Sequence, residues 1–365
     1  MVELALIILV FALLPYAFVA SMVLLIGRRQ TLKKDYSYNP KVSIFLPTFN
    51  EERNIAKKLN DLLQQTYPIY EILVYDCSTD NTPKIVREYG KKYDNIKLIR
   101  QQERIGMAKT LNDALKKAHG EIIVKTDCDS LTKSPDALKE LVADFVDQRI
   151  GAASGVCVNR ALEGYFRSFM TRLQVAESNL DSTIIAHATS LLAYRKVAVV
   201  DVDPDSLNDD AEEFVLVRKR GYRTVIDAMV VSEEEVPQTF KKRRLQKDRR
   251  AAGTIKVLLQ NLSILFNPKF GLYGLVVFPI DLFLLVISPI LLIVISILLG
   301  YVLFTINAMI LVPYLFLIFS PFVFYTIKKV NWLSALVDLQ LSGLMGMFRL
   351  LFRLDSPKWE RVRGY

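Results

Sequence analysis

Asp127, Cys128 and Asp129 follow directly on the run Glu121-Ile122-Ile123-Val124-Lys125-Thr126. A short β-branched run reads as a buried strand, and the C-terminal end of such a strand is where open α/β sheets bind ligands. Two carboxylates one residue apart suit a hard divalent cation, which takes oxygen ligands and can hold a diphosphate at the same time. Alone the triplet says little, because Asp-x-Asp also occurs in ordinary surface turns. It gains weight from Pro47-Thr48-Phe49-Asn50-Glu51 and Asp76-Cys77-Ser78-Thr79-Asp80, which stand behind two earlier apolar runs. Ligand-type side chains thus converge on one sheet edge. Asp76, at a strand end, is expected to face a ligand, whereas Asp80 serves equally well as the cap of the next helix.

The elements that must hold these groups alternate. The pattern predicts strand Val42–Leu46, helix Glu52–Gln65, strand Glu71–Tyr75 and helix Thr82–Tyr93, then strand Ile96–Ile99, helix Met107–His119 and strand Ile122–Thr126. Short apolar strands between amphipathic helices predict an α/β fold with a doubly wound, mostly parallel sheet. No Gly-x-Gly-x-x-Gly follows the first strand, which disfavours the dinucleotide-binding version.

Hydrophobic residues make up 52% of the 365, and they are unevenly spread. Residues 1–27 carry Glu3 as their only ionisable side chain and are long enough to cross a bilayer once. A second apolar block, 270–327, has Asp281 as its one charged residue, and Gly300 is the expected break between two further spans. Arg28, Arg29, Lys33, Lys34, Lys328 and Lys329 mark the cytosolic side. The hydrophilic middle, with a catalytic domain at 35–250, is therefore expected in the cytosol, anchored integrally in the cell membrane. Residues 251–268 read as an interfacial helix, with Ile255, Leu258, Leu259, Leu262 and Leu265 opposite Lys256 and Gln260. In 331–365, Asn331, Ser334, Asp338, Ser342, Gly346, Arg349 and Arg353 put a polar stripe along a helix that would lie in the interface, ahead of a basic tail. The net charge is +9, but seven of the eleven residues Phe240–Arg250 are Lys or Arg beside membrane segments. Membrane lipids, not nucleic acid, are the expected partner of that charge. Three cysteines without a Cys-x-x-Cys pair and two histidines leave no zinc set.

Pro-Thr-Phe-Asn-Glu, Asp-Cys-Ser-Thr-Asp-Asn-Thr, Gly-x-x-x-x-Leu-Asn and Asp-Cys-Asp occur here in that order and at suitable separations. As a set they resemble family 2 glycosyltransferases, inverting enzymes with a GT-A fold and nucleotide-sugar donors, over about residues 40–255. The resemblance implies that Thr48, Phe49 and Glu51 line the nucleoside pocket and that Asp76 accepts a hydrogen bond from the base. It implies Mg²⁺ or Mn²⁺ on the donor diphosphate, held by Asp127 and Asp129. Asn208-Asp209-Asp210-Ala211-Glu212, with Gly221-Tyr222-Arg223 following, resembles the family's base motif and puts Asp210 in the position of the general base. Gln246-Lys247-Asp248-Arg249-Arg250 resembles the Gln-x-x-Arg-Trp motif of membrane-integrated members, so Gln246, Arg249 and Arg250 are expected at the donor. Arg250 stands where processive synthases have Trp, and Phe49 where Tyr is common.

Three other features compete for attention. Asp201-x-Asp203-x-Asp205 with Glu212 mimics a calcium loop, yet Ser206 takes the place of its turn glycine. His187 and Tyr194-Arg195 fall where acceptor contacts are expected. Asp281 either lines a lipid path or bonds to a neighbouring helix. The function expected is transfer of a sugar from a nucleoside-diphosphate sugar to a lipid-linked or polysaccharide acceptor at the cytosolic membrane face. A processive, exporting synthase and a non-catalytic nucleotide-sugar-binding scaffold are the alternatives, and a homo-oligomer is left open.

Overall fold

The structure, a computed structural model, describes residues 2–158, 164–184, 191–234, 239–307, 309, 312–316 and 332–356. Helix α1 (Val2–Leu25) leads to β1 (Val42–Thr48), α2 (Ile55–Leu63), β2 (Glu71–Asp76), α3 (Thr82–Gly90), β3 (Ile96–Arg100), α4 (Met107–Lys117) and β4 (Ile122–Thr126). After these come β5 (Ser130–Thr132), α5 (Ala137–Ala143), β6 (Ile150–Val158), α6 (Gly164–Leu180), β7 (Leu191–Arg195), α7 (Asp209–Lys219), β8 (Arg223–Glu234) and α8 (Phe240–Gln260). The eight strands form one sheet in the order β3-β2-β1-β4-β7-β6-β8-β5. Strands β1 to β4 are mutually parallel, as expected. Strands β7 and β5 run antiparallel to their neighbours, so the second half is mixed.

The parallel half is buried on both faces, which is why its strands read as continuous apolar runs. Val42, Ile44, Leu46, Ile72, Val74 and Val124 pack against Ile55, Leu59 and Leu62 of α2 on one side. Phe45, Leu73, Tyr75 and Ile123 meet Ala108, Leu111 and Leu115 of α4 on the other. Sequence proceeds from β1 to β2 on one side, while β4 lies on the other. The crevice beyond β1 and β4 is therefore the point where strand order reverses, the ligand position of such sheets.

The sequence reading needs revision around the membrane-type segments. The apolar helix Tyr273–Ile306 runs straight through Gly300; the helix ends at Asn307, whose backbone is extended. It is opened to wider turns at Tyr273–Val277 and Phe283–Ile287, next to Pro279 and Pro289, which lack the N–H that a regular turn needs. Residues 251–260 are not a separate interfacial helix. They continue α8 without a break, and Ala251, Ala252, Ile255, Val257 and Leu258 are buried in protein. In the last described helix, Trp332–Leu351, part of the expected polar stripe is turned inward. Asp338 and Ser342 are buried, and Asp338 accepts from Arg244 of α8 at 2.9 Å and pairs with Lys247 at 2.5 Å. Part of the basic run Phe240–Arg250 is thereby neutralised within the protein. Asp281 likewise faces protein, packed by its neighbours Ile280 and Leu284 against Met170, Leu173 and Ala176 of α6.

One contact ties this helical part to α7, and another holds its own helices together. Arg218, near the end of α7, donates to Asp181 at 3.1 Å and to the Phe270 carbonyl at 2.7 Å, with its guanidinium beside the Tyr273 ring. Gly343 lets the last helix approach the apolar one so closely that a Cβ there would stand 2.7 Å from the Leu285 carbonyl oxygen. Gly343→Val is expected to cost about 1–3 kcal/mol by overpacking. A lowered thermal midpoint of the purified variant checks this, and an unchanged one refutes the contact.

Candidate active site

The loops after β1 and β2 are interlocked. Thr48 Oγ1 donates to Asp76 at 2.8 Å, and Ser78 Oγ donates to the same carboxylate oxygen. Asn50 adopts a left-handed backbone (φ 55°), which asparagine tolerates better than most residues. Its N–H donates to Ser78 at 2.7 Å while its side-chain oxygen accepts from the Thr79 N–H at 2.9 Å. Glu51 accepts from Asn54 at 2.9 Å. Asp80 accepts from the Thr82 N–H at 2.9 Å and hydroxyl at 2.6 Å, so it takes the capping role.

Asp76 is fully buried, and its second oxygen is ion-paired to Arg100 at the end of β3. Carboxylate and guanidinium thus stand together at the ends of β2 and β3. The face of the Phe49 ring carries the guanidinium of Arg104 at 4.2 Å. Neither arginine stood out in the sequence.

Strand β4 supplies the second wall. Lys125 and Asp127 point to one side of the strand by its period of two. Lys125 is buried and bridges Asp209 and Asp210, the latter at 2.6 Å. Those two acids open α7, whose first turn is fixed by Asn208 accepting from the Ala211 N–H at 3.2 Å. Burial pushes the Asp210 carboxyl up to about 6; Lys125 opposes that shift, while Asp209 and Asp127 add to it. The ammonium of Lys125, although buried, is held charged by the same carboxylates. One residue thus links the metal-type triplet to the base motif. Its signal in the sequence was a lone charge inside an apolar strand.

Asp127 is half-buried and Asp129 buried at the end of β4. Among the described residues no group of three or more His, Cys, Asp or Glu gathers into a closed metal set. Two carboxylates fit a divalent ion that keeps its other positions for diphosphate oxygens and water, the habit of Mg²⁺. The calcium-like loop is engaged otherwise. Asp203 accepts from the Asp205 N–H, Glu212 from the Asp203 N–H, and Asp201 pairs with Lys116.

Helix α8 crosses this region. Gln246 is half-buried on it, one turn before Arg249 and Arg250. Arg250 lies 3.5 Å from Glu234 at the end of β8. The Arg249 guanidinium is driven down to about 10 by burial and by Arg250, Arg349 and Arg104, with Asp355 pulling the other way. Such a gathering of half-buried cations is suited to an anion.

Tyr194 and Arg195 do not reach an acceptor. Tyr194 is buried against Phe214, and Arg195 donates to the carbonyls of Ile150, Phe145 and Asp147. His187 lies outside the described residues.

Comparisons with known proteins agree with this geometry. Residues 43–199 match the model of glycosyl transferase family 2, and residues 122–326 match that of glycosyl transferase family group 2. The chain is 36% identical over 157 residues to a beta-monoglucosyldiacylglycerol synthase of Nostoc sp., a match covering 42% of this chain and 33% of that one. It is 28% identical over 253 residues to the probable glycosyltransferase YdaM of Bacillus subtilis, covering 63% and 59% of the two chains. The first of these matches therefore spans about a third of the relative's length. Among solved structures, the mannosyltransferase PcManGT of Pyrobaculum calidifontis, in complex with GDP-Man and Mn2+, superposes with a TM-score of 0.80 at 24% identity, over 97% of this chain and 99% of that one. That likeness shows a common fold.

Proposed function

The chain belongs to glycosyl transferase family group 2 and has the GT-A fold, and from that premise we propose that it is a membrane-bound inverting glycosyltransferase. It moves a sugar from a nucleoside-diphosphate sugar to a lipid-linked or glycan acceptor at the cytosolic membrane face. The observation that carries this reading is the Lys125 bridge. It sets Asp210, at the start of α7, beside the strand end that bears Asp127 and Asp129. That neighbourhood supports Asp210 as base beside Asp127 and Asp129 as a diphosphate-holding pair.

In the reaction, Asp210 takes the proton of the acceptor hydroxyl, and the acceptor oxygen forms its bond to the anomeric carbon. The bond from that carbon to the donor diphosphate breaks, and the nucleoside diphosphate leaves with the electron pair. A divalent cation held by Asp127 and Asp129 would neutralise charge on the leaving diphosphate. Arg249 and Arg250 add fork-shaped donors for its oxygens. Thr48 and Ser78 fix the Asp76 carboxylate for the base, while Lys125 keeps Asp210 aimed and ionised. The Mn2+ in the PcManGT complex supports the metal assignment, and the glycolipid named for the Nostoc relative supports a lipid acceptor. The helix Tyr273–Ile306 is the one described helix long and apolar enough to cross a membrane, and it supports an integral location. A donor screen by nucleoside diphosphate release, with membrane extract as acceptor, tests the reading; no release with any donor would refute it. Counting sugars added per acceptor distinguishes few transfers from a polymer.

The pH dependence is a separate expectation. As a base Asp210 must be ionised, and its carboxyl titrates at about 6. Transfer is expected to fall about tenfold per pH unit as pH drops below that point. Lys125→Met removes the cation that lowers this value, so the acid limb should move upward. A profile flat from pH 7 to 5 would remove Asp210 from the role.

A further inference from the structure

The buried stripe of α2 contains a lysine. Ile55, Lys58, Leu59 and Leu62 follow one another at helical spacing, and Lys58 is 0% exposed among them. Its ammonium donates to the Ser130 carbonyl at 2.6 Å and pairs with Asp61, one turn on, at 3.2 Å. Asp61 in turn accepts from the Thr132 N–H at 3.2 Å and from its hydroxyl at 2.6 Å. Gln65, a further turn along, donates to the same hydroxyl at 2.9 Å. One face of α2 thus grips β5, the strand that follows directly on Asp129.

That grip bears on the arc Asp127-Cys128-Asp129. In the sheet β7, β6 and β8 stand between β4 and β5, so the arc is not the turn of a hairpin, and no ladder between its flanking strands sets its shape. Within it the Ser130 N–H stands 3.5 Å from the Asp127 carbonyl, a long contact. Strand β4 fixes one end of the arc. The other end is fixed by β8, which pairs Ser130 with Glu234, and by Lys58. Packing does not account for a lysine in this place. A wholly buried ammonium is costly even when paired, and apolar replacements of such pairs are often neutral or stabilising. What the lysine adds is a donor on Ser130 and a positive charge close enough to act on Asp127. Such a charge eases the repulsion between two carboxylates before an ion arrives. We propose that Lys58 is a positioning residue for a divalent cation: it holds the carbonyl next to Asp129, so that the Asp127 and Asp129 carboxylates keep the spacing a shared ion needs. The proposal deepens the glycosyl-transfer reading and rests on it for those two aspartates as metal ligands.

The test reads binding of Mn²⁺ alone to full-length protein in a neutral detergent, from the loss of the free ion's electron paramagnetic resonance signal. Lys58→Met keeps the length of the side chain and removes donor and charge. It is expected to weaken binding about tenfold, the lower end of the loss when a group that orients a metal's ligands is removed. Lys58→Gln, which retains a donor, should recover part of that loss. Leu62→Ala opens a cavity on the same stripe, and it should lower the thermal midpoint while leaving Mn²⁺ affinity unchanged. Should the stranded Asp61 charge keep Lys58→Met from folding, Lys58→Met combined with Asp61→Asn carries the same expectation. Unchanged affinity in Lys58→Met, or an equal loss in Leu62→Ala, overturns the role and leaves Lys58 as a tie between helix and strand. Asp127→Ala and Asp129→Ala are measured alongside. If neither lowers Mn²⁺ binding, the metal pair of the proposed function falls and the role of Lys58 with it. If both lower it while Lys58→Met does not, the role of Lys58 falls alone.

Discussion

Asp210→Asn is expected to lower transfer by roughly a hundredfold or more while leaving donor binding nearly unchanged, the scale of a missing general base. The substitution keeps the shape of the side chain and its place at the start of α7, and it keeps one oxygen for Lys125 at 2.6 Å in the native pair. It removes the negative charge, and with it acceptance of the acceptor proton, while Asp209 remains as an ionised partner of Lys125. Donor affinity should hold because Asp76, Asp127 and Asp129 are untouched. Single-turnover transfer measured beside donor titration separates the two effects. Near-native turnover would point instead to Glu213, whose carboxyl is buried on the same helix and pushed up to about 8. At neutral pH that group is largely protonated, which is why Asp210, with its lower value, is the better base.

Asp127→Ala and Asp129→Ala are each expected to abolish the metal-dependent part of donor binding. Two carboxylates at the end of β4 are all that the described residues bring to such an ion. Losing either leaves one ligand, too few to compete with water for a cation that dehydrates reluctantly. The measurement is donor affinity with and without Mn²⁺, and metal-enhanced binding by both variants would dismiss the assignment. Asp127→Ala also removes a negative charge that raises the Asp210 carboxyl, so its acid limb should shift downward in any residual activity.

The sheet was legible because parallel strands buried on both faces must be written as unbroken apolar runs. Strands β1 and β2 proved longer than their apolar cores, since Pro47 and Thr48 go on pairing with Tyr75 and Asp76. Helix α2 began later than its pattern suggested. Its first residues are held as a loop by the Asp80 carboxylate on the Glu52 N–H and by Glu52 itself on Asn81. The change from basic to apolar at Arg250–Ala251 looked like a boundary, but helical hydrogen bonds are indifferent to composition, and α8 runs through it. Gly300 looked like a break, yet an isolated glycine within a long apolar helix costs only about 1 kcal/mol. The candidate carboxylates could be singled out in the sequence because their spacing is local. Arg100, Arg104 and Lys125 were not, because each acts on a partner from a different element. The Arg349–Asp355 pair could not be seen without the turn that folds one onto the other.

Helix α7 is an eleven-residue bar with Asp210 near one end and Arg218 clamped to Asp181 and Phe270 at the other. Its frame of reference is therefore the foot of the apolar helix as much as the sheet. That helix has 34 residues, or about 51 Å at the usual rise, against a hydrocarbon thickness of about 30 Å. Within a bilayer it must lean or stand proud, and the lean depends on the thickness of the lipid around it. Were the proposed membrane location and base correct, a change of lean would reach Asp210 through the Arg218 clamp. Transfer rate is then expected to vary with acyl-chain length, as a lever acts, without lipid entering the crevice; equal rates in thin and thick bilayers would refute the coupling.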